Sequence, residues 1–587
     1  MEVTRVFDLL RHQLEKFPQA DMLAAKEGDT WKKYSTRQVQ DVVNQVSLGL
    51  LKLGVKKDDK VALISPNRPE WVFIDFGLQQ IGAVSVPLYP TITEQVYRYI
   101  LADAEVKYIF LADATLLNRV KSAIKDQGGI EGIFTFDKLP DARHWMEVTA
   151  MGQTMDAAQL ESLKAAVQPH DLLTLIYTSG TTGNPKGVML THNNLVSNFK
   201  GSNPFVPVGK EHRALSFLPL SHILERMVSY LYMYVGVSIY YAESLEKIGD
   251  NLKEIKPHVF TTVPRLLEKV YDKIVAKGQG LTGLKRKLFF WALDLGLQYD
   301  TQKDQGFFYN AQLKLANKLI FSKWREALGG NILTIVSGGA ALQPRLARVF
   351  WSANIRVMEG YGLTETSPVI CVNRFEPHEN LIGTVGPAIE NVELKLNPTD
   401  NEILTRGPGV MKGYYKRPDL TAEVIDEDGW FHTGDIGEMV AGKYLKITDR
   451  KKEIFKTSGG KYVAPQPIEN KFKESPLIEQ LMVVGDGQKY AAALIVPSFQ
   501  NLADWCKQNE IPYTTDSEML KNERVRDEFR RIVADFNTSF AQYEQIKKFE
   551  LLPENWTIES GELTPTLKLK RKFIAQKFKP QIDSLYD

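Results

Sequence analysis

Residues Tyr177–Gly187 read Y-T-S-G-T-T-G-N-P-K-G, directly after the apolar run Leu172-Leu-Thr-Leu-Ile176. The hydroxyls of Ser179, Thr181 and Thr182 alternate with Gly180 and Gly183, Thr178 precedes them, and Lys186 closes the loop. Such a loop suits a polyphosphate. Glycines let backbone N–H groups turn inward, hydroxyls donate to phosphate oxygens, and the lysine adds a mobile positive charge. It is not a Walker A loop, because the spacing Gly180…Gly183…Lys186 departs from G-x-x-x-x-G-K-[ST] and Gly187 follows the lysine. A bare G-T-T-G would say little beyond a surface turn. The full string, placed after an apolar strand, points to a nucleotide.

The flanking sequence alternates between helix and strand. Upstream, Arg37–Leu53 carries valines and leucines at helical spacing and stops at Gly54, and Pro69–Ile81 is a second helix with proline in its first turn. Strands are expected at Val61–Pro66, Ala83–Pro87 and Val106–Ala112, and downstream at Ala214–Leu218, Val237–Ala242, His258–Val263, Ile332–Val336 and Ile355–Met358. This order predicts an α/β fold, a large domain of parallel-rich sheets with flanking helices. From Asn401 the chain turns into short strands broken by Gly407, Gly413, Pro418 and Gly429, a small β-subdomain. Beyond the charge run Thr448-Asp-Arg-Lys-Lys-Glu453 lies an α+β stretch: strands at Leu481–Val484, Tyr490–Val496 and Lys547–Leu551, and one long helix near Met519–Phe540. The expected domains are therefore 1–449 and 450–587, with the charged run as linker.

Composition narrows the function classes. A chain of 587 residues exceeds what one core usually supports, about 250–300 residues. Its 73 basic and 71 acidic side chains leave a net +2, so no nucleic-acid partner is expected. Cys371 and Cys506 are the only cysteines and form no C-x-x-C, which excludes a disulfide framework or structural zinc and fits a reducing, cytoplasmic setting. No signal peptide is expected from Met1-Glu-Val-Thr-Arg-Val-Phe. The uncharged run Met227–Ala242 falls short of the ~20 residues that span a bilayer and reads as a buried helix entering a strand. A helical insert, Arg265–Leu328, contains Lys285-Arg-Lys-Leu-Phe-Phe-Trp291. A packed helix with a solvated basic end explains this cluster better than peripheral contact with an anionic membrane, which stays open as the alternative.

Further motifs lie at strand ends. Leu218-Pro-Leu-Ser-His222 offers a histidine that would line a pocket or serve the fold. Ser337-Gly-Gly-Ala340 would let a flat ligand lie against the backbone at Gly338, Gly339 and Ala340, where open α/β sheets bind ligands. In Glu359-Gly360-Tyr361-Gly362-Leu-Thr364-Glu365, the tyrosine offers a face to a base, the threonine a hydroxyl, and Glu365 a hard oxygen for Mg²⁺. Gly429-Trp-Phe-His-Thr-Gly-Asp435 ends on a carboxylate suited to ribose hydroxyls, and Asp449-Arg450 would act from the far side. Lys456-Thr-Ser-Gly-Gly-Lys461 is a second glycine loop, and Leu563-Thr-Pro-Thr-Leu-Lys-Leu-Lys-Arg571 sets a proline turn before a lysine cluster.

In this order and separation, Y-T-S-G-T-T-G-N-P-K-G, Y-G-L-T-E-T, H-T-G-D-I-G and D-R-K-K-E resemble the acyl-adenylate-forming superfamily over essentially the whole chain. D-G-W-F-H-T-G-D-I-G with K-I-T-D-R-K-K is most similar to its long-chain fatty acyl-CoA synthetase branch. The resemblance implies a two-step ligase using a fatty acid, ATP, Mg²⁺ and CoA. A carboxylate attacks the α-phosphate to give acyl-adenylate and pyrophosphate, and a thiol then displaces AMP.

It implies that Ser179–Lys186 holds the β- and γ-phosphates and that Thr181 and Glu365 serve Mg²⁺. Tyr361 would stack on adenine, with Gly338–Ala340 nearby, Thr364 would touch the α-phosphate, and Asp435 and Arg450 would hold the ribose. Lys568 matches the adenylation lysine, although the glycine usual before it is Leu567 here. Lys452 matches the hinge of a mobile C-terminal domain, Ser458-Gly459-Gly460 a thiol tunnel, and His222 the border of the acyl pocket. An acyl carrier protein in place of CoA, and more remotely a luciferase-like oxygenase, remain as alternatives.

Overall fold

The computed structural model describes residues 2–178, 184–564 and 567–587. Contacts divide the chain into two units. The first comprises 1–395, 404–432 and 441–445, and the second 396–403, 433–440 and 446–587. Short strands Glu393–Leu396, Glu402–Arg406, Phe431–Val440 and Tyr444–Arg450 are where the chain passes back and forth between them.

The first unit holds two eight-stranded sheets. One runs, in spatial order, Gly413–Tyr414, Lys186–Thr191, Leu172–Thr178, Val84–Leu88, Lys60–Ile64, Val106–Leu111, Gly132–Thr135, Arg143–His144. From Leu172–Thr178 to the last strand its pairs are parallel, and the two strands before it are antiparallel additions. The other runs Val369–Val372, Arg356–Gly362, Thr334–Ser337, Val259–Thr262, Arg213–Ser216, Ser238–Tyr241, Leu23–Glu27, Thr30–Tyr34. Its six inner strands are parallel. The sheets are parallel-rich as the alternation of helix and strand predicts.

Helices fill the space between the sheets. The helix Thr36–Lys52 begins with a capping box, in which Ser35 accepts from Gln38 N and the Gln38 side chain accepts from Ser35 N. Pro69 opens the helix Pro69–Gln80, whose residues are almost all buried, so it is apolar around its whole circumference. The run at Met227–Ala242 is a helix, Ile223–Val235, stopped at Gly236 (φ +83°) and followed by the strand Ser238–Tyr241. Its residues Ile223, Met227, Leu231 and Met233 join one apolar core with Val61, Leu63 and Phe76. Among the described residues no helix is long and apolar enough to cross a membrane.

The insert forms the helices Pro264–Gln279, Gly283–Leu297, Gly306–Ala316 and Ser322–Ala327, and its Phe289, Phe321 and Trp324 share an apolar core with Leu215, Phe260, Ile335 and Val357 of the second sheet. The second unit carries a three-stranded sheet, Ile478–Val484, Ala492–Pro497 and Lys548–Leu551, under helices. Where one helix is expected near 519–540 there are two, Asp516–Lys521 and Glu523–Asn537. Asn522 separates them because its side chain accepts from Arg524 N and caps the second.

Candidate active site

In the first unit, the expected site residues gather at the ends of strands. The strand Leu172–Thr178 delivers the glycine loop, and Lys186 opens the returning strand opposite Thr178. Ser179, Gly180, Thr181, Thr182 and Gly183 lie outside the described residues. Tyr177 donates its hydroxyl to Asp103 Oδ2 at 2.5 Å, which ties this strand to the helix Glu94–Asp103.

Gly338, Gly360 and the segment after His222 come together. Gly338 leaves the strand Thr334–Ser337, its N–H donating to Thr262 O. A Cβ at Gly338 would lie 3.0 Å from the Leu224 side chain and 3.7 Å from the Gly360 carbonyl. Gly339 (φ +82°) and Ala340 continue into an exposed turn. His222 caps the helix Ile223–Val235, its Nδ1 accepting from Leu224 N at 3.2 Å. This histidine serves the fold as a cap, and it is Leu224, two residues on, that reaches the glycine-lined strand end.

Glu359, Gly360, Tyr361 and Gly362 form the end of the strand Arg356–Gly362, where Tyr361 faces Cys371 across the ladder. The Glu359 carboxyl is buried and its pKa is pushed up to about 8 by loss of solvent, against the backbone N–H groups of Leu342 and Gly383. Thr364 is buried at the start of the short helix Thr364–Thr366 and Glu365 is half-buried beside it.

A residue that the sequence reading missed links these parts. Tyr414, on the strand Gly413–Tyr414 paired with Lys186–Thr191, donates its hydroxyl to Glu365 Oε1 at 2.9 Å. Lys186 Nζ lies 4.8 Å from the centroid of the same ring. The cation–π contact and the hydrogen bond thus align an ammonium, a ring and a carboxylate. Burial, then the Glu365 carboxylate, raises the Tyr414 pKa, so the phenol remains a donor. The aromatic pair in Gly413-Tyr-Tyr415 was the signal available, hidden in a turn-rich stretch.

The strand that delivers the loop is also anchored from behind. Arg226 is 1% and Asp75 0% exposed, and Arg226 Nη2 reaches Asp75 Oδ1 at 2.5 Å. The guanidinium also donates to Thr174 Oγ1, Ser85 Oγ and the Tyr230 hydroxyl, each at 2.8 Å, and Tyr230 donates to Asp75 Oδ2. Burial opposes the charge, but Asp75 and Tyr230 outweigh it and keep Arg226 protonated.

The remaining expected residues are in the second unit. Asp435, 6% exposed, accepts from Arg450 Nε at 2.9 Å, the two lying on successive strands. Asp449, expected beside Arg450 on the far side of a ribose, is buried, and its pKa rises to about 7 for lack of solvent, against N–H donors from Arg450 and Gln466. Lys452 is exposed. Ser458, Gly459 and Gly460 form the exposed turn between Phe455–Lys456 and Tyr462–Val463. Lys568 is held at its backbone, donating to Thr564 Oγ1 at 3.0 Å while its carbonyl accepts from Thr564 N. Leu567 has φ +60°, the left-handed conformation that glycine favours. Arg571, also missed, donates to Glu453 and bidentately to Glu469, fastening the Lys568 segment to the residue after Lys452 and to the helix Pro465–Phe472.

Comparison with known proteins gives the family. Residues 10–415 match the family model described as AMP-binding enzyme, and residues 452–587 that of the AMP-binding enzyme C-terminal domain. A long-chain-fatty-acid–CoA ligase of Mycobacterium tuberculosis is 34% identical, covering 95% of this chain and 93% of the relative. Human long-chain-fatty-acid–CoA ligase 1 is 31% identical, covering 100% and 87%. Among solved structures, an anthranilate CoA ligase in complex with anthranoyl-AMP superposes with a TM-score of 0.73 at 20% identity, over 99% of this chain and 98% of that one. A Mycobacterium tuberculosis fatty acyl CoA synthetase gives 0.62 at 21%, over 98% and 99%. At such identities these two likenesses speak for the fold.

Proposed function

This chain belongs to the AMP-binding enzyme family, and from that premise we propose that it is an ATP-dependent long-chain fatty acid:CoA ligase. In the first half-reaction a carboxylate oxygen of the fatty acid attacks the α-phosphorus of ATP, and pyrophosphate leaves with the electrons of the broken P–O bond. In the second, the CoA thiolate attacks the acyl carbonyl carbon and AMP leaves. A free carboxylate would have to expel oxide, whereas the adenylate expels a stable phosphate monoester. The protein's work is to position groups and stabilise charge, with no covalent enzyme intermediate.

The observation that carries the adenylation reading is the alignment of Lys186, Tyr414 and Glu365 beside the glycine loop. In this reading Lys186 and the loop hydroxyls bind the β- and γ-phosphates, and Thr364 contacts the α-phosphate. Tyr361 stacks on adenine against Gly338–Ala340, and Asp435 and Arg450 take the ribose. Lys568 offsets the charge of two approaching anions. Glu365 is half-buried and accepts from a neutral hydroxyl, and it offers a hard oxygen to a cation. Mg²⁺ would suit it together with the Thr181 hydroxyl, and would supply neutralisation of phosphate charge.

We further place the division of labour at Lys452, about which residues 450–587 would turn between half-reactions, bringing Ser458–Gly460 to the thiol. His222 would border the acyl chain. CoA is the preferred acceptor and an acyl carrier protein the second reading. The cytoplasm is the proposed setting, with peripheral contact to a membrane as the second reading.

AMP release measured across fatty acids of increasing length, with and without CoA, tests the function. Release that requires CoA and rises with chain length is expected. Release only with a holo-carrier protein would favour the second reading, and none with any fatty acid would overturn both.

A further inference from the structure

The insert Arg265–Leu328 carries twelve basic and six acidic side chains, hence +6, in a chain whose total is +2. Its basic–aromatic cluster at Lys285–Trp291 turns its rings inward: Phe289 is in the core, and Phe290 and Trp291 pack against it. The exposed rings are on the next helix. Phe307 is 80% and Phe308 81% exposed, their centroids 5.7 Å apart, at the start of Gly306–Ala316. Leu315 is 49% exposed, and Leu319, one turn further on, 44%.

Two adjacent phenylalanines at such exposure are unusual for a surface in contact with water alone. They do not arise from a loose helix. Its inner side is pinned, with Tyr309 donating to Leu295 O at 2.9 Å and Asn317 to Ser352 O at 2.8 Å. Of its own residues only Ala316 is buried. The outer side repeats apolar residues at helical spacing, Phe308, Ala311, Leu315 and Leu319, flanked by the exposed Lys314 and Lys318. Asp304 is the acidic residue at this end and is engaged locally, accepting from Gly306 N and Asn310 Nδ2.

A helix with one apolar side in the protein and a second apolar stripe facing out, edged by lysines, has the form of an interfacial helix. The occupant that this pattern fits is an anionic lipid surface. Apolar rings would enter the headgroup–acyl boundary, while lysine stems reach along it to lipid phosphates. We propose that Gly306–Ala316, with Leu319, is a docking surface for an anionic bilayer. It gives the peripheral contact of the proposed function a location, and its test does not depend on ligase activity.

Sedimentation with vesicles of phosphatidylcholine containing about a quarter phosphatidylglycerol, against phosphatidylcholine alone, reads this directly. The wild-type chain is expected to bind the anionic vesicles, more weakly at high salt. F307S/F308S should bind about tenfold less, as should K314E/K318E. Both variants should keep the wild-type thermal midpoint and the same activity on a fatty acid short enough to be monomeric in water. Wild-type chain that ignores anionic vesicles, or variants that bind as it does, would overturn the proposal. So would a wild-type dimer in sedimentation velocity that F307S/F308S dissociates, which would assign the stripe to a second copy of the chain.

Discussion

The hydroxyl of Tyr414 donates to Glu365 Oε1 across 2.9 Å, although 49 residues separate them. A hydrogen bond to a charged acceptor contributes about 1.5–3 kcal/mol. In Tyr414→Phe the ring that carries Lys186 stays and the donor goes. Pyrophosphate release should then show kcat/KM for ATP lowered about tenfold or more at unchanged thermal midpoint. Tyr414→Ala should lose more, because the Lys186 contact goes as well. A Phe variant with wild-type ATP dependence would remove Tyr414 from the site.

Lys568→Ala should nearly abolish pyrophosphate release while sparing thioester formation from preformed acyl-AMP. Equal loss in both half-reactions would assign Lys568 another role. Its neighbour permits a stability test. Leu567 sits at φ +60°, which costs a non-glycine residue about 1–2 kcal/mol. Leu567→Gly relieves that cost, which matches or exceeds glycine's greater chain entropy of about 0.5–1 kcal/mol, so the thermal midpoint should be equal or higher. A lower midpoint would mean the leucine side chain supports the turn.

If Lys452 is the pivot, Lys452→Pro should slow thioester formation more than pyrophosphate release, as separate single-turnover assays would show. Equal slowing of the two would argue against a pivot there.

Asp75→Asn leaves Arg226 charged and buried without its counterion. Breaking such a pair typically costs about 3–5 kcal/mol, so a marked fall in the thermal midpoint is expected. The double variant D75L/R226M removes both charges and should recover much of it. Full stability in Asp75→Asn alone would show that Tyr230, Ser85 and Thr174 suffice.

Glu225 is buried near Ser216, Tyr232 and Tyr241, and loss of solvent lifts its pKa to about 8. A carboxyl raised in the folded state favours folding most below its unfolded pKa. That contribution is lost as pH climbs through about 8. The difference in thermal midpoint between wild type and Glu225→Gln should therefore move against wild type from about pH 5 to about pH 9. A difference independent of pH would show that Glu225 does not titrate in this range.

Much of this was legible in advance because local chemistry decided it. Ser35 and Gln38 mark the start of one helix, Pro69 that of another, and the glycines at 338 and 360 stand where strands end. What was hidden depends on residues distant in sequence. Tyr414 meets Lys186 only through the pairing of two strands, and Arg226 meets Asp75 across 151 residues. Asp449 lies in a run of charges, but its burial is a property of what packs above it, which the run does not reveal. The same holds for Lys285–Trp291, where periodicity did not say which way the rings turn.

The Arg226 anchor bears on any attempt to redesign chain-length preference. On the proposed function His222 borders the acyl chain, and the helix Ile223–Val235 that begins there is then the natural place to carve or fill a pocket. The same helix grips Thr174, in the strand that delivers the glycine loop. A library that varied the helix freely would disturb ATP handling together with substrate range. Holding Arg226 and Tyr230 constant, and varying the positions between and beyond them, keeps the two properties separable.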